Sequence, residues 1–166
     1  MDTNSIRKIK KVAVLGSGVM GSRIACHFAN IGLDVLLLDL KKEGQDVANG
    51  ALKSALKSNP SPIYSKKFAS RIKTGNFDDD LHKIKDCDWT IEVIIERLDI
   101  KKSLFEKVEE HRKPGSLITS NTSGIPIEMM LEGRSADFAE HFCGTHFFNP
   151  PRYLKLLEII PSTKTK

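Results

Sequence analysis

The chain has 166 residues, 40% hydrophobic and 28% charged, the composition of one ordinary globular domain with a real core. It has no apolar run of the roughly 18–20 residues that span a bilayer, and no apolar segment long enough for a secretory leader follows the basic "MDTNSIRKIKK", so a cytoplasmic location without membrane partners is expected. The net charge of +5 suits an anionic ligand or a solvated basic face, and no basic run interleaved with aromatics points to nucleic acid. Cys26, Cys87 and Cys143 are widely spaced and form no CxxC pair, which argues against a disulfide framework and a zinc site.

The first predicted element is a buried strand, "KVAVLG" at 11–16. A helix over 19–32 follows, with Met20, Ile24, Phe28 and Ile31 at helical spacing and Gly32 just past its end. "DVLLLD" (34–39) is a second strand, and 43–58 reads as a helix stopped by "NPSP". A short strand is expected at 71–77, inside a stretch (59–88) that otherwise reads as loop or helical excursion. Strand 89–95 leads to an amphipathic helix over 99–112 with Ile100, Leu104, Phe105 and Val108 on one face. Strand 116–122, a short helix at 126–132 and strands 142–148 and 155–160 complete the order. Strands alternating with helices indicate an α/β fold, a doubly wound and mostly parallel sheet covered on both faces.

"GSGVMG" supplies Gly16, Gly18 and Gly21 in G-x-G-x-x-G spacing, between a strand and a helix start. Gly16 would allow the tight turn, Gly18 the approach of a pyrophosphate, and Gly21 close packing of helix on strand. Phosphates would then sit on free amides at the helix N-terminus. Asp39 ends the second strand, eighteen residues past Gly21, where a carboxylate accepts ribose hydroxyls and repels a 2′-phosphate. That favours NAD over NADP, although Lys41 and Lys42 lie just beyond. A generic strand–turn–helix and a helix-capping Asp39 are the plainer readings of the same residues.

Four stretches, "VAVLGSGVMGSRIACHFANIGLDVLLLD", "IEVIIERLDIKKSLF", "ITSNTSGIPI" and "GTHFFNPPRYLKLLEII", resemble the NAD-binding domain of the L-3-hydroxyacyl-CoA dehydrogenases. The likeness runs from about residue 11 to the last strand and is nearest to bacterial members, some with an enoyl-CoA hydratase-like region in the same chain. It implies a Rossmann-type sheet with an antiparallel C-terminal strand, and oxidation of the 3-hydroxyl of an acyl-CoA with hydride passing to NAD. By motif, His146 is the general base, Glu158 its carboxylate partner, and Ser123 the residue that hydrogen-bonds the substrate oxygen. Ser17, Val19 and Met20 lie in the cofactor loop, and Glu96, Lys101 and Asn149 match cofactor-contacting positions. Lys53 and Lys57 are candidates for coenzyme A contact only as nearby basic residues.

The resemblance divides the chain into a basic tail at 1–10, a dinucleotide-binding domain at 11–161 and a short tail at 162–166. The family's helical second domain, with its dimer contacts and part of its substrate pocket, is not among these residues. A cofactor-binding but weakly active or inactive fragment is therefore expected, with the oligomeric state left open.

Alone, a histidine in an apolar strand is more often structural than catalytic. A histidine does suit the proton of a secondary alcohol, and works better with a carboxylate fixing its tautomer. Pro150 and Pro151 break the strand, and an antiparallel return about Arg152 would make His146 and Glu158, equidistant from it, direct opposites. Such pairs have Cβ atoms roughly 4.5–5.5 Å apart. The competing readings are a surface carboxylate for Glu158 and helix caps for Asn121, Thr122 and Ser123. His27, His82 and His111 show no metal-ligand spacing, and no metal is expected. A non-catalytic nucleotide-binding module, or a dehydrogenase of another hydroxy acid, are the alternatives in function.

Overall fold

The computed structural model describes residues 7–166, so positions 1–6 of the expected basic tail lie outside the described residues. In chain order the elements are β1 (Lys11–Leu15), α1 (Val19–Asn30), β2 (Asp34–Asp39), α2 (Val47–Leu56), β3 (Ile72–Asn76) and α3 (Phe77–Asp80). There follow β4 (Trp89–Glu92), α4 (Leu98–His111), β5 (Leu117–Ser120), α5 (Ile127–Met130), α6 (Ala136–Glu140), β6 (Phe142–Phe147) and β7 (Leu157–Pro161).

The strands form one sheet in the order β3-β2-β1-β4-β5-β6-β7, parallel throughout except for the antiparallel β6–β7 pair. Side chains of β1 and β2 alternate between two buried faces, which is why these strands are apolar at consecutive positions. Val12, Val14, Val35 and Leu37 pack with Ile24 and Phe28 of α1 on one face. Ala13, Leu15, Leu36 and Leu38 share the other core with Phe105 of α4, Phe138 of α6 and Phe142. The strand order reverses at β1, whose neighbours β2 and β4 lead away to opposite sides. That reversal opens a crevice at the carboxyl ends of the parallel strands, where open α/β sheets bind ligands.

Some boundaries differ from the sequence reading. Helix α1 ends at Asn30, leaving Ile31 62% exposed outside it, and Gly32 has φ of +92°, the left-handed region glycine tolerates best. Strand β4 stops at Glu92, and Val93–Ile95 leave the sheet to line the crevice. The doubtful stretch folds as two 3₁₀ turns, Lys66–Arg71 and Leu81–Asp86, around β3 and α3. Helix α6 was not expected; Ser135 caps it by accepting from the Phe138 amide. On α4 the buried face is Lys101, Leu104, Phe105 and Val108, with Ile100 turned outward. Strand β7 is the sheet's edge and is exposed along its length.

Candidate active site

The loop from β1 into α1 is shaped by two close backbone approaches. Gly16 has φ of +107°, and a Cβ there would lie 2.6 Å from the Val93 carbonyl oxygen. A Cβ on Gly21 would fall 1.8 Å from the Gly16 carbonyl oxygen, so α1 can seat against the loop only with glycine at that position. Gly18 is different, because a Cβ there would meet nothing within 4 Å. It is the N-cap of α1 and no side chain caps that helix end. Open space before uncapped first-turn amides fits the pyrophosphate of a dinucleotide.

Asp39 caps no helix. Its Oδ2 accepts from the Ser17 amide (2.6 Å) and hydroxyl (2.5 Å), and its Oδ1 from the Leu40 amide (2.7 Å). Ser17 is thereby held behind the loop, buried, rather than facing the crevice. Asp39 lines a cleft of about 650 Å³ with Gly16, Gly18, Phe77 and Ile100. Lys41, just past β2, is ion-paired to Asp79 at 2.9 Å.

A second cleft, about 520 Å³, adjoins the first across Gly18, Val93, Ile94 and Ile95. Val19, Met20, Asn121, Ser123, His146 and Asn149 line it. Strands β6 and β7 pair in the expected register, with His146 opposite Glu158. His146 Nδ1 lies 2.8 Å from Glu158 Oε2. A carboxylate only accepts, so Nδ1 carries the proton and Nε2 is left for the cleft. The His146 side chain is 22% exposed and that of Glu158 50%, so the carboxylate is a half-exposed edge residue that nevertheless has its partner.

The loop after β5 is fixed by neighbours rather than by capping α5. Asn121 Oδ1 accepts from the Phe147 amide (2.8 Å), tying the ends of β5 and β6 together. Thr122 Oγ1 accepts from the Ile125 amide (3.1 Å), and Ser123 caps nothing. Asn149 Oδ1 accepts from Arg23 Nη1 (2.8 Å). Ser123, His146 and Asn149 thus meet at one cleft, while Asp39 and the glycines meet at its neighbour.

Ser17, Gly21 and Glu158 support the clefts without lining them, and four further sequence candidates also line neither. Lys53 on α2 and Lys57 just past its end are exposed. Lys101 is 1% exposed, its ammonium 2.7 Å from Glu92 Oε1 and 3.2 Å from Glu96 Oε2. Glu96 turns to the 122–124 loop, its Oε1 accepting from the Ser123 (3.1 Å) and Gly124 (3.0 Å) amides and the Thr122 hydroxyl. Partial burial opposes its ionisation, but those bonds and Lys101 outweigh it and hold the carboxyl at about 2. The residue missed in the sequence is Glu92, fully buried beneath both clefts, whose carboxyl burial pushes upward against the pull of Lys101. Its signal was a charge in the apolar run "TIEVII" together with a lysine on the buried stripe of the next helix. Among the described residues no group of three or more His, Cys, Asp or Glu could hold a metal ion, and no helix is long and apolar enough to cross a membrane.

The family described as "3-hydroxyacyl-CoA dehydrogenase, NAD binding domain" matches residues 11–166. A "Probable 3-hydroxyacyl-CoA dehydrogenase" of Bacillus subtilis is 52% identical, covering 96% of this chain and 22% of its own length. A "Putative fatty acid oxidation complex trifunctional enzyme" of Rickettsia felis is 42% identical, over 96% of this chain and 23% of its own length. Among solved structures, 3-hydroxybutyryl-CoA dehydrogenase from Escherichia coli superposes with a TM-score of 0.77 at 31% identity, covering 96% of this chain and 34% of that one. The chain spans between 22% and 47% of the length of the first curated relatives it matches.

Proposed function

Because the chain belongs to the family of 3-hydroxyacyl-CoA dehydrogenase NAD-binding domains, we propose that it serves the NAD-dependent oxidation of an L-3-hydroxyacyl-CoA to the 3-oxoacyl-CoA. The observation that carries this reading is the His146–Glu158 pair, 2.8 Å apart, at a cleft shared with Ser123 and continuous with the glycine loop. NAD, when bound along the joined clefts, supplies the acceptor for the hydride leaving the carbinol carbon. Gly18 and the α1 amides would hold its pyrophosphate, and Asp39 would take the adenine ribose hydroxyls. His146 Nε2 accepts the hydroxyl proton, and Glu158 fixes the tautomer and steadies the imidazolium that results. Ser123 donates to the substrate oxygen and orients it towards His146. The name of the Rickettsia relative supports a place in fatty-acid oxidation.

Weak turnover is expected of these 166 residues alone, since Ser123 is exposed and Glu158 half-exposed, whereas small-molecule sites bury roughly 70–90% of their ligand. Calorimetric titration with NAD and NADH should show binding by the chain itself; a flat titration would remove the cofactor assignment. Acetoacetyl-CoA-dependent oxidation of NADH should be abolished by His146→Ala, and activity surviving that change would remove His146 as the base.

A further inference from the structure

Glu92 and Lys101 form an ion pair that is 0% and 1% exposed, at the carboxyl end of β4 and in the first turns of α4. Two charges withdrawn from water are costly, and a well-packed apolar pair in the same place is often no less stable. What the pair provides is therefore sought in what it touches. Glu92 Oε1 accepts from Lys101 Nζ (2.7 Å) and from the Ile94 amide (2.7 Å), and its Oε2 from the Ser120 hydroxyl (2.5 Å). Ile94 is a wall of both clefts. Lys101 Nζ continues to Glu96 Oε2 (3.2 Å), and the other oxygen of Glu96 receives the Ser123 and Gly124 amides.

The contacts run in one direction, from the sheet to the cleft. Glu92 is rigid because it lies in the sheet, opposite Ser120 in the β4–β5 register. Lys101 is rigid because its helix face is packed in the core. Glu96 lies on an exposed turn, and neither apolar packing nor the sheet holds it there. Its carboxylate is placed by the buried ammonium on one side and grips the exposed Ser123 loop on the other.

We infer that Glu92 and Lys101 are positioning residues, a buried pair that sets Glu96 and through it the backbone of Ser123, and that also fixes the Ile94 wall of the cleft. The functional consequence rests on the proposed role of Ser123, whereas the positioning itself does not. In a reaction whose rate depends on orienting one hydroxyl, a displacement of about 1 Å is worth roughly a hundredfold.

The test replaces the pair together, Glu92→Leu with Lys101→Met, and separately removes the grip with Glu96→Ala, which leaves no acceptor for the loop amides. Native-state hydrogen exchange of the Ser123 and Gly124 amides is read against core amides of Val14 and Leu37, with kcat and KM for acetoacetyl-CoA measured alongside. We expect the double variant to melt near the parent temperature, with core amides unchanged and Ser123 and Gly124 exchanging at least about tenfold faster. Its kcat should fall about 10–100-fold with KM within threefold, a loss of orientation rather than of binding. Glu96→Ala, at an exposed position, should reproduce the faster exchange without disturbing the core. Parent-like exchange at Ser123 and Gly124 in a folded double variant would overturn the inference. So would parent-like exchange in Glu96→Ala, which decides the matter even if the double variant does not fold. Ser123→Ala separates the two readings: unchanged kcat there removes the catalytic role of Ser123 and leaves the exchange result standing on its own.

Discussion

Substituting Gly18 and Gly21 separately by alanine divides the structural work of the glycine loop from its binding work. At Gly18 the new Cβ meets no protein atom within 4 Å and φ is −57°, a value other residues adopt. Restricting the unfolded chain is worth about 0.4–1 kcal/mol in favour of alanine, while alanine is a poorer N-cap than glycine by a comparable amount. The two nearly cancel, and the melting temperature should stay within about 3 °C of the parent. The methyl group would instead stand where the pyrophosphate approaches, and overpacking there costs about 1–3 kcal/mol, or about 5–150-fold in NADH affinity. At Gly21 the new Cβ would lie 1.8 Å from the Gly16 carbonyl oxygen, so α1 must move away from the loop. A similar cost of about 1–3 kcal/mol then appears in stability, lowering the melting temperature by about 2–12 °C. Calorimetry with NADH and thermal unfolding of the two variants check both. A folded Gly18→Ala chain that bound NADH within twofold of the parent would refute the reasoning, because the open space before α1 would not be where the cofactor lies.

Glu158→Gln keeps an acceptor for His146 Nδ1 but removes its charge; the difference between a charged and a neutral bond is about 1–2 kcal/mol, so kcat/KM for NADH-dependent reduction of acetoacetyl-CoA should fall about 5–30-fold. Burial pushes the Cys26 and Cys87 thiols up to about 11, so a disulfide reagent at pH 8 should leave them unmodified in the native chain and modify all three cysteines once urea unfolds it. The Glu96 carboxyl is held at about 2, below its unfolded value, so its stabilising contribution is complete above about pH 4.5 and is lost as pH falls through about 2. Urea unfolding between pH 5 and pH 2.5 should therefore show a shallower loss of stability in Glu96→Gln than in the parent.

The sheet was legible because its strands are buried on both faces and announce themselves as apolar runs, and the β6–β7 register followed from two prolines and the symmetry of His146 and Glu158 about Arg152. Position along a periodic pattern was less informative than expected on α4. Ile100 and Lys101 are adjacent, and hydrophobicity alone puts isoleucine inside; the structure buries the lysine because its ammonium pairs with buried Glu92. That preference depends on a carboxylate nine residues away in sequence, whose one trace is the charge inside the apolar run "TIEVII". Glu96 matches a cofactor-contacting position by resemblance alone; that its carboxylate also holds the loop of Ser123 was not legible, because β4 ends at Glu92 and a turn outside the sheet carries Glu96 there. Helix α6 escaped notice because five residues are too few to show a period, although Ser135 was a legible cap.

Strand β7 presents Leu156 just before it and Leu157, Ile159 and Ile160 within it, all exposed, on the last strand of the sheet. An unpaired apolar edge is a template for other chains, and natural sequences interrupt such edges with a charge. Between Leu156 and Pro161 the one charged side chain is Glu158. The carboxylate that meets His146 Nδ1 is thus also the one charge that interrupts this apolar edge. Neutralising it changes colloidal behaviour together with chemistry, and rates for Glu158→Gln belong to the fraction that light scattering shows to be free of aggregates.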